Sequence, residues 1–414
     1  MARVRPLRND GSMRNIAILE RENNNRWSIS KIAIGLNDFL NGKGYSSRIY
    51  SYTGDTGTPN YVFSNRADAS IHRMLFRLTG KDGSFSHFTT RKLLMKFKAD
   101  NVDTIYILML HSFYINETML FNHIKKHGIS VVYVMLDEYA FSGKCHFNFK
   151  CGELEQECRG CPHLDKHPVC ISSSGPHKVF LRKKRNYEGV KMVFVGPEMV
   201  LCGARRSPLT KDRTLIEADE CIDVRRYRPR NTQRLRDELG IPDDKIVCMC
   251  VAVYDGIHHE RKGVPYYIEL ARRFENDSRF VFVQLAYLAD YPGGLPKNYI
   301  AKGFIDDIDL VAEYLSMGDL FIFPSVADTM PNTCLEALAC GTPLLCWKVY
   351  GNEKMAPPEI ATFATPTELD EMAAVVDKLT KKSEEMINRC REYAVKRYDN
   401  QAYFDKLMKI GEEL

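Results

Sequence analysis

The sequence predicts an α/β protein of two Rossmann-like domains, each a parallel sheet wrapped by helices, with the functional site in the cleft between them. Three observations carry this. Short apolar, β-rich runs alternate with helix-like segments along nearly the whole chain. The 414 residues exceed what one ordinary core organises. An arginine-rich stretch punctuated by Pro229 and Pro242, residues 222–242, separates two sets of such runs and reads as a linker and entry helix.

In the first set the runs fall at 15–19, 47–52, 104–110, 130–136 and 191–195, alternating with segments long enough for crossover helices. In the second they fall at 246–253, 279–285, 298–302, 320–323, 343–347 and 360–363. The first domain is therefore expected over 13–196 and the second over 222–395, followed by a last helical segment at 396–414. Open sheets of this kind bind ligands beyond the carboxyl ends of their strands, which directs attention to the loops that follow each run.

Composition is globular, 44% hydrophobic and 27% charged, with no low-complexity tract. A net charge of +5 gives no argument for nucleic acid. Basic residues cluster at Arg3, Arg5, Arg8 and Arg14, and again at Arg182-Lys183-Lys184-Arg185; such clusters suit solvated surface, anionic lipid or a phosphorylated substrate. The longest apolar run, 105–114, already contains His111 and falls short of a membrane span, and no apolar stretch of signal-peptide length follows the basic residues 1–14. Thirteen cysteines, an odd number with several in apolar runs (Cys248, Cys250, Cys346), indicate reduced usage. The expected location is cytoplasmic, with a peripheral place at the inner face of the membrane where the basic clusters would act.

The most informative segment is Asp328-Thr-Met-Pro-Asn-Thr-Cys-Leu-Glu336, after the apolar run 320–323 and the break Pro324-Ser325. It reads as strand, loop, then a helix opening near Pro331 and closing at Gly341. Two carboxylates with seven residues between them straddle the loop-to-helix junction. The N–H groups of Asn332 and Thr333 would open the helix and attract anionic oxygens. Asp328 would accept hydrogen bonds from sugar hydroxyls and Glu336 would grip a ribose diol, so a diphosphate joining sugar and ribose fits the layout. The plainer reading is a β-loop-α unit with solvated carboxylates. Upstream, Arg261-Lys262-Gly263 stands between the run 246–253 and a helix expected over 264–274. Two cations neutralise a diphosphate, and the glycine would let the backbone approach it.

Both motifs resemble those of the retaining family 4 glycosyltransferases of GT-B fold, with Asp328 in place of the commoner first Glu of the acidic-x7-acidic motif and Arg261-Lys262-Gly263 matching the signature that holds the donor diphosphate. A narrower likeness, to the colanic-acid and capsular-polysaccharide glycosyltransferases, runs through Leu110-His111-Ser112-Phe113-Tyr114-Ile115-Asn116 and Leu136-Asp137-Glu138-Tyr139-Ala140-Phe141-Ser142-Gly143-Lys144-Cys145-His146. It continues through Cys151, Cys158 and Cys161-Pro162 to Cys221-Ile222-Asp223 and Tyr227-Arg228-Pro229. The resemblance implies transfer of a hexose, with retention, from a nucleotide-diphosphate sugar to a saccharide or lipid-linked saccharide acceptor in surface polysaccharide synthesis. It also implies a last helix that returns to the first domain. No catalytic metal is expected, because cations and helix N–H groups can stabilise the departing diphosphate, and no Ser-His or Cys-His nucleophile pair stands out.

The acceptor half departs from these relatives. They carry a His-Asp pair where this chain has Leu136-Asp137, and histidines where it has Tyr106 and Leu108, which leaves His111. Their glycine-rich first loop is replaced by Asn23-Asn24-Asn25-Arg26-Trp27-Ser28-Ile29-Ser30, their Asn-Gly by Glu220-Cys221, and an arginine of the donor loop is missing where the strand ends Ala252-Val253-Tyr254. His111 and Asp137 are the acceptor-side candidates, alongside Asp328, for the reacting sugar. These departures keep a second reading open, a catalytically impaired GT-B protein that binds a nucleotide sugar or a partner enzyme.

Cys145, Cys151, Cys158 and Cys161 are spaced x5, x6 and x2 within an expected loop at 143–170. Four thiolates so confined can close a tetrahedral, structural zinc site; two disulfides or free thiols are the rival readings, and reduced usage disfavours the disulfides. His146, His163, His167 and Cys170 lie nearby as substitute ligands.

Overall fold

Every residue of the strands Ser130–Val134, Met192–Gly196, Leu320–Phe323 and Leu344–Trp347 is buried, the pattern of parallel strands covered by helices on both faces. The computed structural model describes residues 14–24, 28–54, 60–147, 151–252, 259–286, 288 and 291–414. The expectations for Arg3, Arg5 and Arg8, for Asn25, Arg26 and Trp27 of the first loop, and for Val253 and Tyr254 lie outside the described residues. The chain divides into two units, one ending at Glu220 and also containing Gln401–Leu414, the other being Cys221–Asn400.

The first unit holds β1 (Asn15–Asn23), β2 (Ser46–Gly54), β3 (Asn60–Val62), β4 (Thr104–Ile107), β5 (Ser130–Val134), β6 (Met192–Gly196) and β7 (Leu215–Glu217). They form one parallel sheet in the order β3-β2-β1-β4-β5-β6-β7. The order reverses between β1 and β4, whose last paired residues are Leu19 and Ile107, and such a reversal opens a crevice beyond the strand ends. Strands β3 and β7 escape the sequence reading because each is three residues long and never fully buried, so neither offers an apolar run.

The helix Asn400–Glu413 closes this unit. Tyr106 of β4 donates its hydroxyl to the Leu407 carbonyl at 2.9 Å, and Ser130 of β5 donates to that of Leu414 at 3.1 Å. Gly35 makes room for the Phe404 ring, since a β-carbon there would lie 2.6 Å from it.

The basic cluster at 182–185 is only partly surface, which corrects the sequence reading. On helix Gly175–Tyr187, Arg182 is buried and lies 3.0 Å from Glu117, while Lys183 is fully buried and donates to the carbonyls of Tyr139 and Ser142. A cation this far inside is tolerated only when paired and hydrogen-bonded. Neither is available to lipid.

The second unit holds β8 (Ile246–Val251), β9 (Phe280–Leu285), β10 (Tyr299–Ala301), β11 (Leu320–Phe323), β12 (Leu344–Trp347) and β13 (Ala361–Ala364), all parallel in the order β10-β9-β8-β11-β12-β13. This is the same permutation, so the reversal falls between β8 and β11. The stretch 222–242 belongs to this unit rather than linking two. Ile222 bridges to Asp399, and Arg391 donates to the Val224 and Tyr227 carbonyls at 2.7 and 2.6 Å. Arg236 similarly ties the carbonyls of Pro242 and Lys245. Within the stretch read as a linker, Arg236 is a backbone clamp, and Arg391 of helix Glu384–Tyr398 clamps it from outside.

Candidate active site

In the second unit both sequence motifs lie just past the carboxyl ends of β8 and β11, the two strands at the reversal. Arg261 and Lys262 end a short turn, His259–Lys262, and Gly263 follows in the left-handed region at φ 68°. A β-carbon on Gly263 would sit 1.8 Å from the Pro324 carbonyl oxygen. The glycine therefore serves loop-to-loop packing. The Arg261 carbonyl accepts from the Ser325 hydroxyl at 2.8 Å and the Val326 N–H at 2.9 Å, which interlocks the loop after β8 with the loop after β11.

This interlock brings the charged side chains together. Arg261 Nη1 donates to the Ala327 carbonyl at 2.9 Å and to Asp328 Oδ2 at 3.1 Å, and Lys262 Nζ reaches the same oxygen at 2.7 Å. Burial alone would raise the Asp328 carboxyl, but Lys262 and Arg261 outweigh it and hold the group below its ordinary value. Two cations against one carboxylate leave a local excess of positive charge.

The helix Asn332–Ala339 starts beside them. Pro331 caps it without a side-chain bond, and the first amide turned back into the helix is that of Cys334, to the Pro331 carbonyl at 2.9 Å. The amides of Asn332 and Thr333 come before that bond, as a helix start requires. The side-chain oxygen of Asn332 is buried with no partner among the described residues. Glu336, one turn in and 8% exposed, accepts from the Tyr227 phenol, whose pKa is pushed up first by burial and then by that carboxylate. Tyr227 was not among the expected site residues. Its only signal was the Tyr227-Arg228-Pro229 string.

In the first unit the two acceptor-side candidates meet. His111 Nε2 lies 2.7 Å from Asp137 Oδ2, and His111 Nδ1 lies 2.6 Å from the Ser112 hydroxyl. Asp137 Oδ1 accepts the Tyr139 N–H at 2.8 Å. Burial would raise Asp137, but His111 outweighs it and keeps the carboxyl low. His146 stacks on His111 with ring centroids 3.7 Å apart, and burial, then His111, drive its pKa well down, so it stays neutral. The sequence named His146 only as a substitute metal ligand.

The His111 loop is strained, with Ser112 at φ 82° and Phe113 at φ 67°. Asp82 holds it by accepting the Ser112 N–H at 3.2 Å, and lies 3.3 Å from His72. Burial alone would raise Asp82, yet His72 brings it down to about 2. At the end of β1, across the reversal, Glu20 is 1% exposed with neither oxygen bonded among the described residues. The Ser30 hydroxyl beside it donates instead to the Glu22 carbonyl. Burial, then Glu22, push Glu20 up to about 8.

All thirteen cysteines are free thiols. Cys158 accepts the Gly143 N–H at 3.3 Å and Cys151 the Glu153 N–H at 3.4 Å. Burial raises Cys145, followed by the nearby Cys161, Cys158 and Cys151, and Cys158 rises to about 11. The four thiols are neighbours without forming a closed ligand set: among the described residues no three His, Cys, Asp or Glu side chains are arranged to hold a metal ion. No helix is long and apolar enough to cross a membrane, again among the described residues.

Residues 247–382 match the family model described as "Glycosyl transferases group 1". The chain is 31% identical over 122 residues to a teichuronic acid biosynthesis glycosyltransferase of Bacillus subtilis, covering 29% of each chain. It is 22% identical over 288 residues to a colanic acid biosynthesis glycosyl transferase of Escherichia coli, covering 68% of each. The alignments to the Bacillus protein, to a processive diacylglycerol α-glucosyltransferase of Acholeplasma laidlawii and to a 2-deoxystreptamine N-acetyl-D-glucosaminyltransferase of Streptomyces fradiae span 29%, 38% and 37% of those proteins. Among solved structures, HepE of Anabaena in complex with UDP superposes with a TM-score of 0.68 at 13% identity over 97% of this chain and 100% of that one. WaaG, a glycosyltransferase involved in lipopolysaccharide biosynthesis, gives 0.67 at 14% identity over 96% and 99%.

Proposed function

We propose that the chain moves a sugar, with retention, from a nucleotide-diphosphate sugar to a saccharide or lipid-linked saccharide acceptor in surface polysaccharide synthesis; the match of residues 247–382 to the glycosyl transferases group 1 model and the GT-B fold support this reading. The observation that carries this reading is the convergence of Arg261, Lys262 and Asp328 beside the start of helix Asn332–Ala339, with Glu336 one turn in. That constellation offers cations and amide donors to a diphosphate, and carboxylates to the hydroxyls on either side of it. Solved neighbours with bound UDP and UDP-glucose support a nucleotide-sugar donor.

In this reading Lys262 and Arg261 exchange part of their contact with Asp328 for donor phosphate oxygens. Charge building on the departing diphosphate is then met by cations that are already in place. Asp328, released from one partner, orients sugar hydroxyls, and Glu336, held by the Tyr227 phenol, binds the ribose. The acceptor hydroxyl attacks from the face the diphosphate leaves, and its proton passes to a phosphate oxygen. On the first unit the His111–Asp137 pair positions the acceptor. The four cysteines of the loop 143–170 are proposed to take a structural zinc, with no step of the reaction passing through it. The setting is cytoplasmic and peripheral to the membrane.

A thermal-shift series with UDP-, GDP- and ADP-sugars, followed by turnover with saccharide and lipid-linked acceptors, tests the proposal. Stabilisation by one nucleotide sugar and release of its nucleoside diphosphate only with acceptor are expected. No stabilisation by any of them would overturn it, and binding without turnover would reduce the protein to a nucleotide-sugar binder.

A further inference from the structure

We infer that the outer face of helices Arg66–Thr79 and His87–Ala99 docks the first unit on an anionic lipid surface. Single exposed apolar side chains are ordinary; a contiguous set is not. Of the ten large hydrophobic residues exposed among the described residues, five lie on these two helices, and Val169 and Ile171 lie in the segment whose Ile171 meets the end of the first. Ile71, Met74 and Leu78 form a stripe along the first helix, and Phe88 and Met95 form one along the second. Val169 and Ile171 complete the set.

Hydrogen bonds make these pieces one surface. The Thr89 N–H donates to Asp68 at 2.8 Å, which sets Phe88 beside the first turn of helix Arg66–Thr79, one turn from Ile71. The Ile171 N–H donates to the Arg77 carbonyl at 2.9 Å, which sets Ile171 beside Leu78. Phe88 is 76% exposed and Ile171 69%, so these groups have no cover among the described residues.

Charge selects the occupant. Helix His87–Ala99 carries Arg91, Lys92, Lys96 and Lys98 and no acid, and helical periodicity puts Arg91 and Lys92 on either side of the line from Phe88 to Met95. Arg73 and Arg77, both exposed, flank the stripe on the first helix, where the one acid, Asp68, is taken up by Thr89. Apolar side chains rimmed by cations match the boundary between headgroups and acyl chains of a negatively charged leaflet.

The inner face of the same helix leads to the acceptor-side cluster. His72 pairs with Asp82, Asp82 holds Ser112, and Ser112 adjoins His111; Phe76 packs on Phe113 with ring centroids 4.8 Å apart. A lipid surface under this face therefore lies behind the strained His111 loop.

Sedimentation of the full chain with vesicles tests this without donor or acceptor, so its failure leaves the glycosyl-transfer reading standing. Binding to phosphatidylglycerol-rich vesicles and little binding to phosphatidylcholine alone are expected. Each cation is worth about fivefold in partitioning, so Arg91→Glu with Lys92→Glu should weaken binding at least about 25-fold. Phe88→Ser with Leu78→Ser should lower it strongly too. All four residues are exposed, so an unchanged thermal melt is expected to accompany the loss. Vesicle binding that survives both double variants would overturn the inference. So would a dimer that dissociates on Phe88→Ser in a chain that ignores vesicles, which would make the face a contact between copies.

Discussion

Lys262 Nζ stands 2.7 Å from Asp328 Oδ2, so the cation proposed for the donor diphosphate is engaged beforehand by the carboxylate proposed for the donor sugar. The pair keeps a largely buried carboxylate ionised and holds the ammonium in place, which reduces the ordering that binding has to supply. Phosphate and carboxylate thus compete for one cation, and the competition is open to experiment.

Asp328→Asn removes that competitor and leaves Arg261 and Lys262 facing each other without their counter-charge. Lower thermal stability is expected in the absence of ligand, together with tighter binding of free nucleoside diphosphate and loss of transfer. Lys262→Ala is expected to weaken nucleotide-sugar binding about tenfold or more, the worth of one charge-assisted contact. Calorimetry with UDP and a UDP-sugar reads both. Equal affinities in parent and variants would detach this cluster from donor binding.

Gly263→Ala tests the interlock of the two donor loops. The added carbon meets the Pro324 carbonyl in a backbone at φ 68°, so one of the loops must move. A loss of at least about 2 kcal/mol is expected from the strain and overlap together. Denaturant unfolding measures the loss, and nucleotide binding should fall with it.

Glu20 makes stability depend on pH. Its folded value, about 8, exceeds the ordinary 4.5, so the folded chain holds a proton that the unfolded chain releases. Its contribution is complete below 4.5 and drains away as the pH rises towards about 8, at about 1.4 kcal/mol per pH unit. Glu20→Gln mimics the protonated form and is expected to abolish this decline. Urea unfolding of parent and variant across that range should give diverging curves; parallel ones would show that Glu20 does not carry the effect.

Metal analysis of the purified chain addresses Cys145, Cys151, Cys158 and Cys161. About one zinc per chain is expected, lost when Cys158 and Cys161 are both replaced by Ser. Absence of zinc in the parent would leave the loop held by packing and by its N–H to sulfur contacts.

Much of the fold was legible because strands buried on both faces spell out uninterrupted apolar runs, as at Leu320–Phe323 and Ile246–Val251. The strands Asn60–Val62 and Leu215–Glu217 were not, since three half-exposed residues leave no such trace. The residues proposed for the donor were readable as two short motifs because each stands between a strand and the helix that follows it. What the sequence hid was pairing across distance. Gly263 answers to Pro324, Glu336 to Tyr227, and His111 to both Asp137 and His146; none of these partners shares a local pattern. Arg182 and Lys183 misled because a run of four cations looks the same whether it meets water or a buried glutamate.

The helix Asn400–Glu413 packs on β4 and β5 although most of the second unit precedes it in the chain. The consequence concerns synthesis. The sheet made first emerges from the ribosome with Gly35, Tyr106 and Ser130 still uncovered, whereas the unit Cys221–Asn400 is continuous and has all its own segments before the last helix is made. Domains that complete themselves during translation do so from the N-terminus onward. Here the earlier-made unit is the later to be sealed, and its apolar seam awaits residues 401–414.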